Sequence, residues 1–189
     1  MAKYTAIYDA CVLYPAPLRD LLLQLAVLDL FRARWTKDIH EEWQRNILID
    51  RPDLKASDLQ RTRELMDSHV RDCLIDNYEP LINTLQLPDP KDRHVLAAAI
   101  VGRVDVIVTF NLKDFPDQAL APYGIEAQHP DEFIYNLCDL YPTEVYKAAK
   151  MIRARLKNPP VTVNDYLERL AKQGLSKTTD FLRDAESLI

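Results

Sequence analysis

The run Val104-Asp105-Val106-Ile107-Val108-Thr109-Phe110 limits the folds open to this chain more than any other stretch. It is short, rich in β-branched residues and apolar nearly throughout, without the polar alternation of a strand that has one wet face. A strand of this kind is buried on both sides, so it needs strands beside it and helices above and below. Residues 87–102 supply one helix. Asp89-Pro90 and Asp92 carry helix-entry chemistry, because Asp accepts hydrogen bonds from unpaired first-turn N–H groups and Pro is tolerated there. Val95, Leu96, Ala98, Ala99 and Ile100 form the body, and Gly102 can end it. Residues 111–114 come after the strand at its carboxyl end, so polar groups arrive at the tips of buried elements, where α/β proteins present their sites.

Tyr4-Thr5-Ala6-Ile7-Tyr8 reads as a first strand stopping at Asp9, with Ala10-Cys11-Val12-Leu13 as a turn before a buried helix over residues 18–31. A short strand over 33–35 comes next. Asp38 has N-cap character with Glu41 at capping-box spacing, and the helix they open carries Glu42 beside Trp43. Pro52 breaks the chain before a charged surface helix starting near Ser57 or Asp58. Residues 73–75 read as a strand, 81–85 as a helical turn, 125–127 as an edge strand, and Pro130-Asp131-Glu132 as the start of a helix to about Leu140. Beyond Pro142 only helices are predicted: one from Thr143 to about Leu156, interrupted at Asn158-Pro159-Pro160, one capped at Thr162 and closed by Gly174, and one from Ser176. The pattern is α/β, with a parallel sheet covered on both faces in residues 1–140 and a small helical extension in 141–189.

Apolar residues make up 48% and charged residues 28%, ordinary for a soluble protein. The start lacks a basic leader followed by a long apolar stretch, and Cys11, Cys73 and Cys138 have no disulfide or zinc spacing, so a cytoplasmic chain with reduced thiols and no membrane span is expected. The net charge of −5 is uneven: residues 1–140 hold 15 Lys and Arg against 23 Asp and Glu, giving −8, while 141–189 hold 9 against 6, giving +3. That basic tail permits phosphate contacts through Arg153, Arg155 and Lys157, although a solvated helix face is the better explanation of any single cation.

Asp9 and Asp114 after strands and Asp92 at a helix start are predicted at one edge of the sheet, with Glu42 on a helix able to face them. Each has a plainer explanation: Asp9 as a strand-end turn, Asp92 as a first-turn acid, Asn111 and Asp114 as a turn, Glu42 as a helix-dipole partner. For Glu42, spacing alone favours the plainer one. Gathered together, though, carboxylates raise one another's pKa unless a cation neutralises them, and an all-oxygen set suits Mg²⁺ or Mn²⁺. The matching chemistry is attack of water on a phosphodiester.

In its order, strand-Asp9, helix-Glu42, Asp92 before Ala97-Ala98-Ala99, then Ile107-Val108-Thr109-Phe110-Asn111-Leu112-Lys113-Asp114-Phe115, the chain resembles the PIN-domain ribonucleases, specifically VapC-type toxins of toxin–antitoxin modules with a C-terminal helical extension. The resemblance spans roughly residues 4–140. It implies a PIN-like three-layer sandwich around a mostly parallel sheet, and Mg²⁺- or Mn²⁺-dependent cleavage of RNA. It also implies Asp9, Glu42 and Asp92 as metal-coordinating acids, with Asp114, or Asn111 through water, in the fourth place. An antitoxin partner and a homodimer are implied as well. Thr109, Asn111, Lys113 and Arg93 are the expected substrate-binding residues, with Lys91 near them. Two positions depart from the family pattern: Cys11 stands where many relatives carry Asn or Ser, which predicts weaker hydrogen bonding, and Asn111 replaces an acid found in some relatives.

Rival chemistries lack their residues. Tyr8-Asp9-Ala10 offers no adjacent acid pair for a receiver domain, and Asp9-Ala10-Cys11 no Asp-x-Asp for a haloacid-dehalogenase-type phosphatase. The four His at 40, 69, 94 and 129 show no metal-ligand spacing, and three Gly leave no phosphate loop. The alternative that stands is a PIN-like RNA-binding or protein-interaction module with weak or no catalysis.

Overall fold

The computed structural model describes residues 4–189. Residues 1–3, the very start of the segment read as leaderless, lie outside the described part. Four strands, β1 (Thr5–Tyr8), β2 (Arg32–Arg34), β3 (Val106–Val108) and β4 (Glu126–Gln128), form one all-parallel sheet in the order β2-β1-β3-β4. Ala6 pairs with Ala33 on one side and Val106 on the other, and Ile107 pairs with both Ile7 and Ala127. Every residue of β1 and β3 is buried, whereas β2 and β4 are partly exposed. The apolar run at 104–110 thus becomes a central strand, and the fold is α/β as expected.

The helices, in chain order, are α1 (Ala10–Leu13), α2 (Ala16–Val27), α3 (Lys37–Asp50), α4 (Ala56–His69), α5 (Glu79–Ile82), α6 (Arg93–Val101), α7 (Asp117–Leu120), α8 (Pro130–Leu140), α9 (Pro142–Arg155), α10 (Val163–Ala171) and α11 (Ser176–Arg183). Local chemistry departs from expectation in a few places. Residues 10–13, read as a turn, make one turn of helix, and α2 begins earlier than read because Pro17 sits in its first turn, where a missing N–H costs nothing. The α3 cap is Thr36, in extended backbone, whose hydroxyl accepts the Ile39 N–H at 3.1 Å; Asp38 instead accepts the Tyr78 hydroxyl at 2.7 Å. The strand expected at 73–75 is reduced to a single bridge between Leu74 and Trp35. Gly102 packs closely on Ile75, whose Cδ1 would lie 2.5 Å from a Cβ there and would have to shift.

Two compact units emerge: the segment ending at Tyr14 with Phe31–His129, and Pro15–Leu30 with Pro130–Ile189. The first holds the whole sheet. At its β2 side a buried polar chain ties α3 to α4: Trp43 Nε1 donates to His40 Nδ1 at 3.0 Å, while His40 Nε2 lies 2.9 Å and Trp35 Nε1 2.8 Å from the same Asp67 oxygen. Because Nδ1 accepts, Nε2 carries the proton and donates to Asp67.

The second unit is all helical. Its N-terminal piece, α2, buries Leu18, Leu21, Leu22 and Leu25 and packs with α9 and α10. Compactness therefore groups residues differently from the linear boundary at 140. Asp131, 6% exposed near the start of α8, accepts the N–H groups of Lys177 and Thr178 at 2.9 Å each, capping α11 from another helix. Arg153 gives its two terminal nitrogens to the Val161 and Ile189 carbonyls at 3.1 Å each. Among the described residues no helix is long and apolar enough to cross a membrane.

Burial holds His40 below the ordinary histidine value of 6.5, with Asp67 opposing. A lowered folded pKa means the unfolded chain binds the proton first, so this contribution is complete above pH about 6.5 and is lost as pH falls through the folded value. The His40 ring should titrate below 6.5 by NMR, and urea unfolding should give lower stability at pH 5 than at pH 7; a midpoint above 6.5 would contradict the buried neutral ring. Asp131→Ala should cost about 2 kcal/mol in the same assay, the upper range for loss of a helix cap.

Candidate active site

Since all four strands run the same way, their carboxyl ends share one edge, and the residue after β1 meets the residues after β3. Asp9 comes directly after β1 and donates its N–H to Val108 O at 3.1 Å. It stands at the N-cap position of α1, yet its carboxylate makes no cap bond. Instead Oδ2 accepts the Thr109 hydroxyl at 2.7 Å and the Cys11 thiol at 3.2 Å. Asp9 is 4% exposed and Thr109 fully buried, so these bonds offset the desolvation of a carboxylate. Burial pushes the Asp9 pKa up, the Thr109 and Cys11 hydrogen bonds pull it down, and the Glu42 charge raises it again.

Cys11 supports the site more than its replacement of Asn or Ser predicted. Its sulfur donates to Asp9, lies 3.4 Å from the Thr109 hydroxyl and accepts the Phe110 N–H at 3.3 Å. Burial and the Asp9 charge drive the thiol pKa far above its usual range, so the sulfur keeps the hydrogen it donates. Thr109 also accepts the Asn111 N–H at 3.0 Å. With its hydroxyl committed to Asp9, it acts on that acid instead of reaching a substrate.

Asp92 ends a 3₁₀ turn, Pro90–Asp92, whose cap is Asp89 through the Lys91 N–H at 2.9 Å. Helix-entry chemistry is thus met by Asp89, and the Asp92 side chain makes no cap bond of its own. Asp114 closes the 3₁₀ turn Leu112–Asp114 and is half-buried. Asp9, Glu42 and Asp114 lie near enough to Asp92 for their charges to act on it. Burial first, then the charges of Asp9, Asp89, Asp114 and Glu42, push Asp92 up to about 7. Asp89 therefore contributes to this field as well as capping the turn. Glu42 of α3 lies with its Oε2 3.4 Å from His94 Nε2 in the first turn of α6, a pairing the sequence did not reveal although His94 sits two residues after Asp92.

The other expected residues are placed less centrally. The Asn111 and Lys113 side chains are exposed, as is Lys91. Arg93 is half-buried and donates from Nη2 to Gln86 Oε1 at 3.1 Å. In the helical unit Arg153 is occupied by backbone carbonyls, which corrects its reading as a phosphate contact, while Arg155 and Lys157 are exposed.

The donor set fits a hard divalent cation in chemistry: carboxylates only, crowded enough to hold one of them half-protonated near neutral pH. Among the described residues no three His, Cys, Asp or Glu side chains close into a metal-holding group.

Residues 130–184 match the family described as VapC50 C-terminal domain, and 5–113 match the PIN domain. A protein of Mycobacterium tuberculosis named "Putative ribonuclease VapC50" is 52% identical over 85 residues, which is 44% of this chain and 49% of that relative. The chain thus aligns with about half the length of the curated relative. No solved structure matches it. The PIN match over residues 5–113, more than half of the chain, makes this chain a member of the PIN-domain family.

Proposed function

We propose that this chain is a divalent-cation-dependent endoribonuclease, hydrolysing RNA phosphodiester bonds with water and serving as the toxin of a toxin–antitoxin pair. The convergence of Asp9, Glu42, Asp92 and Asp114 from separate segments carries this reading, and the relative named as a ribonuclease supports it. Mg²⁺ or Mn²⁺ bound there would polarise a phosphate oxygen and make water nucleophilic at neutral pH. Asp9, Glu42, Asp92 and Asp114 would hold the cation, with Asn111 contributing through water. Thr109 and Cys11 fix the Asp9 oxygen by hydrogen bonds. Lys113, Arg93 and Asn111 would contact the RNA backbone. An antitoxin blocking the site, a homodimer and a cytoplasmic setting complete the reading. The competing one, a binding module without chemistry, draws on the open spacing of the acids.

The deciding experiment incubates antitoxin-free protein with RNA and, separately, DNA, with Mg²⁺, Mn²⁺ or EDTA. Metal-dependent RNA cleavage is expected, reduced about 10²-fold or more by Asp92→Asn, since loss of a ligand costs at least what loss of its supporting partner does. Folded wild-type protein that cuts no RNA with either metal leaves the binding module.

Asp92 makes a second, independent prediction. Its folded pKa, about 7, lies above the ordinary 3.8, so the metal-free folded state holds a proton that the unfolded state releases. That contribution is complete below pH about 3.8 and is lost as pH rises through 7. Asp92→Asn should therefore raise the Tm of metal-free protein at pH 8 more than at pH 6, and Mn²⁺ should raise wild-type Tm more at the higher pH. Equal shifts at both values would mean that Asp92 is not crowded by its acidic neighbours.

A further inference from the structure

We infer that His94 is a positioning residue for Glu42, holding its carboxylate toward the other acids. The inference rests on the cation-dependent nuclease reading and extends it to a residue outside the acidic set. Glu42 is carried by α3 and Asp92 immediately precedes α6, so nothing in either helix alone sets the distance between their carboxylates. Like charges in this ring repel, and a free Glu42 would swing outward, its side chain being 32% exposed. The contact that restrains it comes from the α6 side, where His94 Nε2 stands 3.4 Å from Glu42 Oε2.

The ring's other nitrogen, Nδ1, is buried and, among the described residues, has no hydrogen-bond partner. Nε2 is therefore the ring nitrogen that meets a polar partner, the Glu42 carboxylate. His94 is 15% exposed in its side chain, so the ring is itself held in place while Glu42 is not. Metal-binding side chains are commonly oriented by such outer partners, whose loss costs about 10- to 100-fold in affinity or activity.

The test measures Mn²⁺ binding to the RNA-free full chain by calorimetry, beside cleavage rates over a range of Mn²⁺ concentrations. His94→Leu should weaken Mn²⁺ affinity about tenfold and slow cleavage at low Mn²⁺, with the rate recovering as Mn²⁺ is raised. His94→Gln, whose amide N–H reaches the place of Nε2, should restore affinity to within about threefold. In a Glu42→Gln background His94→Leu should add no further loss. If His94→Leu does not fold, His94→Asn, too short to reach Glu42, replaces it with the same expected loss. Wild-type Mn²⁺ affinity in the Leu or Asn variant, no recovery with Gln, or an equal loss in the Glu42→Gln background overturns the inference. A wild-type chain that binds no Mn²⁺ and cuts no RNA overturns both this and the nuclease reading; an active wild type with insensitive His94 variants overturns this one only.

Discussion

A carboxylate that is 4% exposed has to be hydrogen-bonded or neutralised, and Asp9 is such a carboxylate at the centre of the sheet edge. Much of the local sequence is explained by that demand. The β-branched strand β3 is followed directly by a threonine whose buried hydroxyl reaches the acid directly after the neighbouring strand. The small residue two places after Asp9 is a cysteine that keeps its hydrogen, donates it to Asp9 and takes the Phe110 N–H in return. Parallel pairing of β1 and β3 makes these contacts possible, since antiparallel neighbours would put Asp9 and Thr109 at opposite ends of the sheet.

Around this anchored acid the other carboxylates are not neutralised. Charge repulsion and burial together lift Asp92 to about 7, while Asp9 is restrained by its hydrogen bonds. The site is therefore energetically unfavourable by itself, and a divalent cation would relieve it. Stability is sought elsewhere in the same unit. The Trp43–His40–Asp67–Trp35 chain satisfies every ring nitrogen of two tryptophans and a histidine within one buried network. Such a network ties α4 to α3, the helix that carries Glu42, and so gives the acid a rigid base even though its side chain is half-exposed.

The helical unit uses the same economy of polar groups on a smaller scale. Asp131 of α8 serves the N–H groups of Lys177 and Thr178 in the first turn of α11, and Arg153 of α9 serves carbonyls at Val161 and Ile189. Both side chains carry charge, and both are consumed by backbone. Counting cations along the tail overstates what is available to phosphate for this reason: a net +3 over residues 141–189 says nothing about which guanidinium is already engaged.

Read alone, the sequence determined the α/β class, a central strand within 104–110, the edge strand near 126 and the helix from Pro130. These rest on period, turn chemistry and strand ends, all of which are local. Tertiary structure decided what depends on residues far apart in the chain. Thr36 took the cap assigned to Asp38 because Tyr78 claims that acid. Residues 73–75 contributed one bridge instead of a strand, pairing about Trp35 alone through the Cys73 carbonyl and the Ile75 N–H. The sequence could show His94 beside Asp92 but not its reach to Glu42, nor that α2 belongs with helices more than a hundred residues later. Periodicity tells which side of an element is buried; it cannot tell what that side is buried against, and each of these differences is of that kind.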